Sequence, residues 1–98
     1  MKILAIEKEL PGAAPGSFKP HLKAEAGRVL ELYNSGVIRE FYFDEDRHRA
    51  VLILECANAV ETRAVLASLP LVRERLIDFD IFPLSPYTGF ERLFEDSG

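Results

Sequence analysis

Residues 37 to 57 read VIREFYFDEDRHRAVLILECA: two runs of branched and aromatic side chains, 37 to 44 and 49 to 57, parted by the charged turn EDRH. Such runs closed by a polar turn predict a β-hairpin. The chain is arranged symmetrically around it. On the N-terminal side, Leu22, Ala26, Val29, Leu30 and Tyr33 recur at spacings of three and four, while Lys23, Glu25, Arg28 and Glu31 take the other side. This spacing predicts a helix over 20–35, with Ser17 as its cap, Pro20 tolerated in its first turn and Gly36 suited to the left-handed position past its end. On the C-terminal side, Asn58 with Glu61 forms a capping-box start to a second helix. Its apolar face is expected at Val60, Ala64 and Ala67, with Leu66 close by, and Pro70 stops it, leaving a short basic link to the last strand. The outermost segments, KILAIEKE (2–9) and LIDFDIFPL (76–84), are short apolar runs, the second alternating Ile77, Phe79 and Ile81 against Asp78 and Asp80. The order is βαββαβ. Two βαβ halves joined by a hairpin predict a ferredoxin-like α+β fold, one four-stranded antiparallel sheet with both helices on the same side.

Both faces of that sheet are apolar. Leu4 and Ile6 oppose Ile3 and Ala5 on the first strand, and Leu52, Leu54 and Cys56 oppose Val51 and Ile53 on the third. Helices cover only one face, so the other is expected to be buried by a second copy of the chain, giving a homodimer or higher homo-oligomer. Residues 1–98 are expected to form a single domain. Within it, residues 85–94 form a C-terminal arm that carries Tyr87, Phe90, Leu93 and Phe94 and packs across the dimer or over a barrel mouth. Residues 95–98 are expected to be disordered.

Twelve Lys and Arg against sixteen Asp and Glu leave a net charge of -4, which argues against nucleic acid or an anionic membrane as partner. The one cysteine, Cys56, excludes an internal disulfide framework and a paired CxxC zinc site, and points to a reducing, cytoplasmic setting. No apolar run approaches the roughly 20 residues of a membrane span.

The chemistry is sparse. Glu7 and Glu55 fall on the parity of Ile3, Ala5, Val51 and Ile53, so either could face a barrel interior and move a proton where apolar neighbours disfavour its charged form. On the second strand, Tyr42 and Glu40 alternate with Arg39 and Phe41, and the hairpin register decides which set enters. Tyr42 would land near Glu7, whereas Arg39 would offer a fixed cation to an enolate or carboxylate oxygen. Glu7, Tyr42 and Arg39 are therefore the catalytic candidates. Asp78 and Asp80 read as solubilising groups or as partners of Arg73 or Arg75. His21 and His48 fall in turns with no third ligand nearby, and no glycine-rich phosphate loop is found, so neither a metal nor a cofactor is expected.

From about Leu30 to Tyr87 the chain resembles the muconolactone-isomerase-like family of the dimeric α+β barrel superfamily. The resemblance is carried by LYNSGVIREFY (32–42), LASLPLV (66–72) and LIDFDIFPLSPY (76–87), with Gly36, Arg39, Leu69, Pro70, Leu71, Asp78 and Leu84 at matching positions. It implies two sheets facing each other across a dimer, and an activity that moves a double bond within a small unsaturated lactone without a cofactor. The family places polar and basic groups of the first strand toward the barrel, where this chain is expected to offer Ile3 and Ala5. That implies a more apolar ligand, aromatic or polyketide-like. The expected function is a cofactor-free isomerase or cyclase-like enzyme acting by proton transfer on a small apolar carbonyl or lactone compound. The alternatives are a non-catalytic small-ligand-binding or accessory module on the same scaffold, and a cofactor-independent aromatic monooxygenase. A buried carboxylate or tyrosine converging on a closed pocket of several hundred Å³ favours an enzyme, isomerase-like or monooxygenase; a barrel filled by its own side chains favours the module.

Overall fold

The computed structural model describes residues 1–95. Four strands, β1 (Lys2–Glu9), β2 (Ile38–Phe43), β3 (Ala50–Glu55) and β4 (Ile77–Pro83), form one sheet in the order β2-β3-β1-β4, every neighbouring pair antiparallel. Helix α1 (Leu22–Asn34) joins β1 to β2, and helices α2 (Ala59–Ala67) and α3 (Pro70–Arg73) join β3 to β4. This is the ferredoxin-like α+β arrangement expected from the βαββαβ order. No helix among the described residues is long and apolar enough to cross a membrane.

The local reasons are visible at the element ends. Asn58 Oδ1 accepts the Glu61 N–H at 2.8 Å, and Glu61 Oε2 accepts the Ala57 N–H at 2.6 Å, so two of the free donors at the start of α2 are satisfied reciprocally. Gly36 ends α1 at φ 83°, a value costly for a side chain with a Cβ. In the hairpin turn, Asp44 accepts both the Arg47 N–H at 2.8 Å and the Arg49 Nε–H at 2.7 Å. Those contacts hold its carboxyl below the usual carboxylate range, the Arg47 backbone donor first and the Arg49 guanidinium next.

Three local readings are corrected. Ser17 does not cap α1: a 3₁₀ turn, Lys19–His21, holds Pro20 ahead of the helix. The segment after Pro70 is not a bare link, since Pro70 takes the first position of α3, where its missing N–H has no helical partner to lose. The buried face of α2 is not Val60, Ala64 and Ala67, because Val60 is exposed while Thr62 and Leu66 are buried. Threonine is accepted there because its hydroxyl donates to the Asn58 carbonyl at 2.9 Å, leaving only a methyl group to pack.

The core lies between the helices and one sheet face: Ile3, Ala5, Leu52, Leu54, Ile77 and Phe79 from the strands against Leu32, Leu66, Leu69 and Leu71. Burying each large side chain is worth roughly 1.5–3 kcal/mol. The register decides which face this is. Ile3 pairs with Leu54 and Ala5 with Leu52, whereas Leu4 pairs with Ile53 and Ile6 with Val51. The expected grouping of Ile3 and Ala5 with Val51 and Ile53 is therefore corrected: Ile3 and Ala5 point at the helices. The bare face carries Leu4, Ile6, Val51 and Ile53, all only half-buried.

Beyond Pro83 the chain leaves this body. Gly89–Phe94 winds into a 3₁₀ helix in which Tyr87 packs edge-on against Phe90, ring centroids 5.1 Å apart. A Cβ at Gly89 would meet the Tyr87 hydroxyl, so a larger residue there would displace the exposed Tyr87 side chain. In this arm Tyr87, Phe90, Leu93 and Phe94 stay 66–85% exposed. The radius of gyration is 16.7 Å, against roughly 13 Å for a compact 100-residue domain, and the longest axis is 63 Å. Of the residues expected to be disordered, 96–98 lie outside the described residues.

Candidate functional site

A cleft of about 880 Å³ opens between α1 and the helix-facing side of β2 and β3. The helix side is the 22, 26, 29, 30, 33 stripe read from the sequence; the sheet side is Phe41 and Phe43 of β2 and Leu52 of β3. Only Leu32 of α1 is buried, so the stripe forms a wall rather than core, and Leu22, Leu30 and Phe41 remain about half-exposed. The wall is braced at one end by Tyr33 edge-to-face with Phe41 at 5.1 Å. At the other end, Phe43 and His48 stack at 4.0 Å.

Two carboxylates interrupt this apolar lining, Glu7 from β1 and Glu25 from α1. Each is fixed by one oxygen. Glu7 Oε1 accepts the Ala50 backbone N–H at 2.8 Å, and Glu25 Oε1 accepts the Leu71 backbone N–H at 2.9 Å. The second oxygen of each has no hydrogen-bond partner among the described residues. Burial pushes the Glu25 carboxyl above its ordinary value; the Leu71 N–H opposes this, and the charge of Glu7 adds to the rise. The cleft thus favours the proton-bearing form of Glu25 while a second, anchored carboxylate stands nearby.

Of the three candidates from the sequence, Glu7 and Tyr42 both line the cleft and Arg39 does not. Glu7 lies opposite the buried Phe79 on β4, on the helix-facing side, and enters the cleft rather than a space between two sheets. Glu55 shares the bare face instead, paired with Lys2 across the strands, its Oε2 3.1 Å from the amino terminus. Tyr42 is aligned with Val51 and Ile6, the parity opposite to that of Glu7, although it is among the residues that line the cleft. Its hydroxyl donates to Glu40 Oε1 at 2.8 Å, which raises its pKa. Arg39 is the extra residue of a β-bulge: Ile38 pairs with Leu54 and Glu40 with the adjacent Ile53. Released from the alternation, Arg39 donates from Nε to the Gly36 carbonyl at 2.6 Å and is exposed. The pairs foreseen for Asp78 and Asp80 also differ, since Asp80 meets Lys8 at 2.8 Å and Asp78 meets Arg63 at 3.9 Å.

Glu25 was assigned to the polar side of α1. The signal that could have found it is its place in the row 22, 25, 26, 29, 30, 33, where it is the one acid in a helical apolar stripe. Cys56 is a buried free thiol packed in the core. No group of three or more His, Cys, Asp or Glu that could hold a metal is found among the described residues.

The sheet order, the one-sided helices and the cleft beneath α1 define a ferredoxin-like α+β domain with the fold of muconolactone isomerase. The crystal structure of muconolactone isomerase superposes with a TM-score of 0.72 at 18% identity, covering 90% of this chain and 92% of that one. A second similar structure is 5-chloro-2-hydroxyhydroquinone dehydrochlorinase from Burkholderia phenoliruptrix AC1100, in complex with 2,5-dihydroxybenzoquinone. Its TM-score is 0.64 at 16% identity, over 91% of this chain and 98% of that one. No family model matches the chain, and no curated protein sequence matches it.

Proposed function

We propose that the chain is a cofactor-free, isomerase- or cyclase-like enzyme that moves a proton on a small apolar carbonyl compound bound in the α1 cleft. The observation that carries this reading is the pair of backbone-anchored carboxylates, Glu7 and Glu25, in an apolar cleft of about 880 Å³. A proton shift needs a base at one carbon and an acid at another. Glu7 is the proposed base, and Glu25, whose neutral form burial favours, the proposed acid. Because each is held by a backbone N–H, its free oxygen is already oriented before substrate arrives, which is where general acid–base groups gain their typical 10² to 10⁴ in rate. Both similar solved structures are enzymes of small unsaturated or aromatic compounds by their names, which supports the scaffold's suitability.

The working unit is proposed to be a homodimer formed through the bare face. Leu4, Ile6, Val51 and Ile53 make a contiguous half-buried apolar strip flanked by exposed Tyr42 and Phe82. Left in water, such a strip costs solubility and invites association.

The test is solvent deuterium exchange into a cyclic enone or unsaturated lactone panel, followed by NMR. Exchange above the buffer rate, lost by at least about 10²-fold in Glu7→Gln, is expected. Unchanged exchange in Glu7→Gln overturns the assignment of the base. The second reading, a ligand-binding module without turnover, gains ground if the panel binds in the cleft and no exchange is seen.

A further inference from the structure

The charges around the cleft are one-sided. Its acidic lining is Glu7 and Glu25, its other titratable groups are Tyr33, Tyr42 and the stacked His48, and no Lys or Arg lines it among the described residues. Basic groups do occur in the adjoining groove beyond Glu7, but each lies beside an acid. Lys8 is 2.8 Å from Asp80, Arg49 is 2.6 Å from Asp44 and Arg47 is 3.9 Å from Asp46. An anionic ligand in the cleft would therefore meet the Glu7 carboxylate and no Lys or Arg, in surroundings whose apolar walls weaken screening.

We propose that the cleft selects its ligand by charge, taking a planar, uncharged molecule that carries a hydrogen-bond donor and excluding carboxylates. The planar body is matched by the aromatic walls, Phe18 and Phe41 among them, and by apolar Val29 and Leu52. The donor is matched by the free oxygen of Glu7, which accepts but cannot donate when ionised. An organic cation would gain from Glu7 but would lose its hydration among apolar walls, in a site where burial already disfavours the charged form of Glu25. The uncharged donor meets no such penalty.

This selectivity rests on the cleft being the site proposed above, yet it is read by equilibrium binding rather than turnover, so the two can fail separately. The probes are 2-naphthol, 2-naphthoate and 2-naphthylmethylammonium at pH 7, followed through the backbone amide signals of Ala50 and Leu71. These amides donate to Glu7 and Glu25 and therefore report directly on occupancy. The expected result is that 2-naphthol shifts both amides and binds at least about tenfold more tightly than 2-naphthoate. The gap should narrow in Glu7→Gln, a change that keeps the acceptor for Ala50. Naphthoate binding as tightly as naphthol overturns the proposal, as does the ammonium probe binding most tightly. Absence of any naphthol-induced shift at millimolar concentration also overturns it.

Discussion

Glu7 accepts the Ala50 backbone N–H at 2.8 Å across 43 positions of sequence, at the point where the pairing of β1 with β3 has ended at Ile6 and Val51. A side chain thereby takes over a backbone donor that would otherwise lack a sheet partner. The same bond fixes one oxygen of the carboxylate at the cleft. Structural and chemical uses of Glu7 are thus joined, and glutamine is the substitution that separates them.

Glu25 sets a pH dependence. A carboxyl whose pKa rises on folding binds its proton more tightly in the folded state. Its contribution is complete below the ordinary value of 4.5 and is lost as pH rises through the higher folded value. The wild type should therefore lose stability as pH climbs from about 4.5, and Glu25→Gln should be flatter over that range and more stable at pH 7. Urea midpoints at pH 4, 5, 6 and 7 measure this; a wild type and variant with parallel curves would contradict it.

The cap of α2 is a conventional test of local structure. Asn58→Ala removes the acceptor for the Glu61 N–H and should cost about 1 kcal/mol, while Asn58→Asp should cost far less. For a domain of this size that loss corresponds to a fall of roughly 4–8 °C in Tm, readable by circular dichroism. Equal Tm values for Ala and Asp would remove the cap from the account.

The bare sheet face predicts association. Ile53, on the central strand β3 and pointing away from the helices, should tolerate glutamate in a monomer but not across an apolar dimer. Sedimentation velocity is expected to show a dimer for the wild type at micromolar concentration and a folded monomer for Ile53→Glu. A wild type that sediments as a monomer would remove the dimer.

The C-terminal arm predicts a partner contact as well. Four apolar side chains held 66–85% exposed on this arm suit packing against a second copy rather than water. Deleting residues 85–98 is expected to weaken the dimer by at least about tenfold while leaving the far-ultraviolet spectrum of the sheet and helices intact. Unchanged association and Tm would show the arm to be dispensable.

The order βαββαβ and the strand boundaries were legible in the sequence because they depend on neighbours. Alternation in LIDFDIFPL, the three-and-four spacing of Leu22 to Tyr33 and the Asn58–Glu61 cap are all local patterns, and the elements lie within a few residues of where they put them. Which face each pattern presents was not legible. Period two separates Ile3 and Ala5 from Leu4 and Ile6 but assigns neither set to the helices; that follows only from where α1 and α2 land and from the pairing of Ile3 with Leu54. On β2 the alternation itself is broken, since the bulge at Arg39 lets Ile38 and Phe41 share a side and puts Tyr42 on the parity opposite to that of Glu7. Glu25 shows the same limit for electrostatics: its helix position is local, but its raised pKa arises from burial and from a carboxylate on β1, against the opposing pull of an N–H 46 positions away on α3. Local periodicity determined the elements, and contacts between residues distant in sequence decided which side chains meet, because desolvation and strand register exist only once those elements have packed.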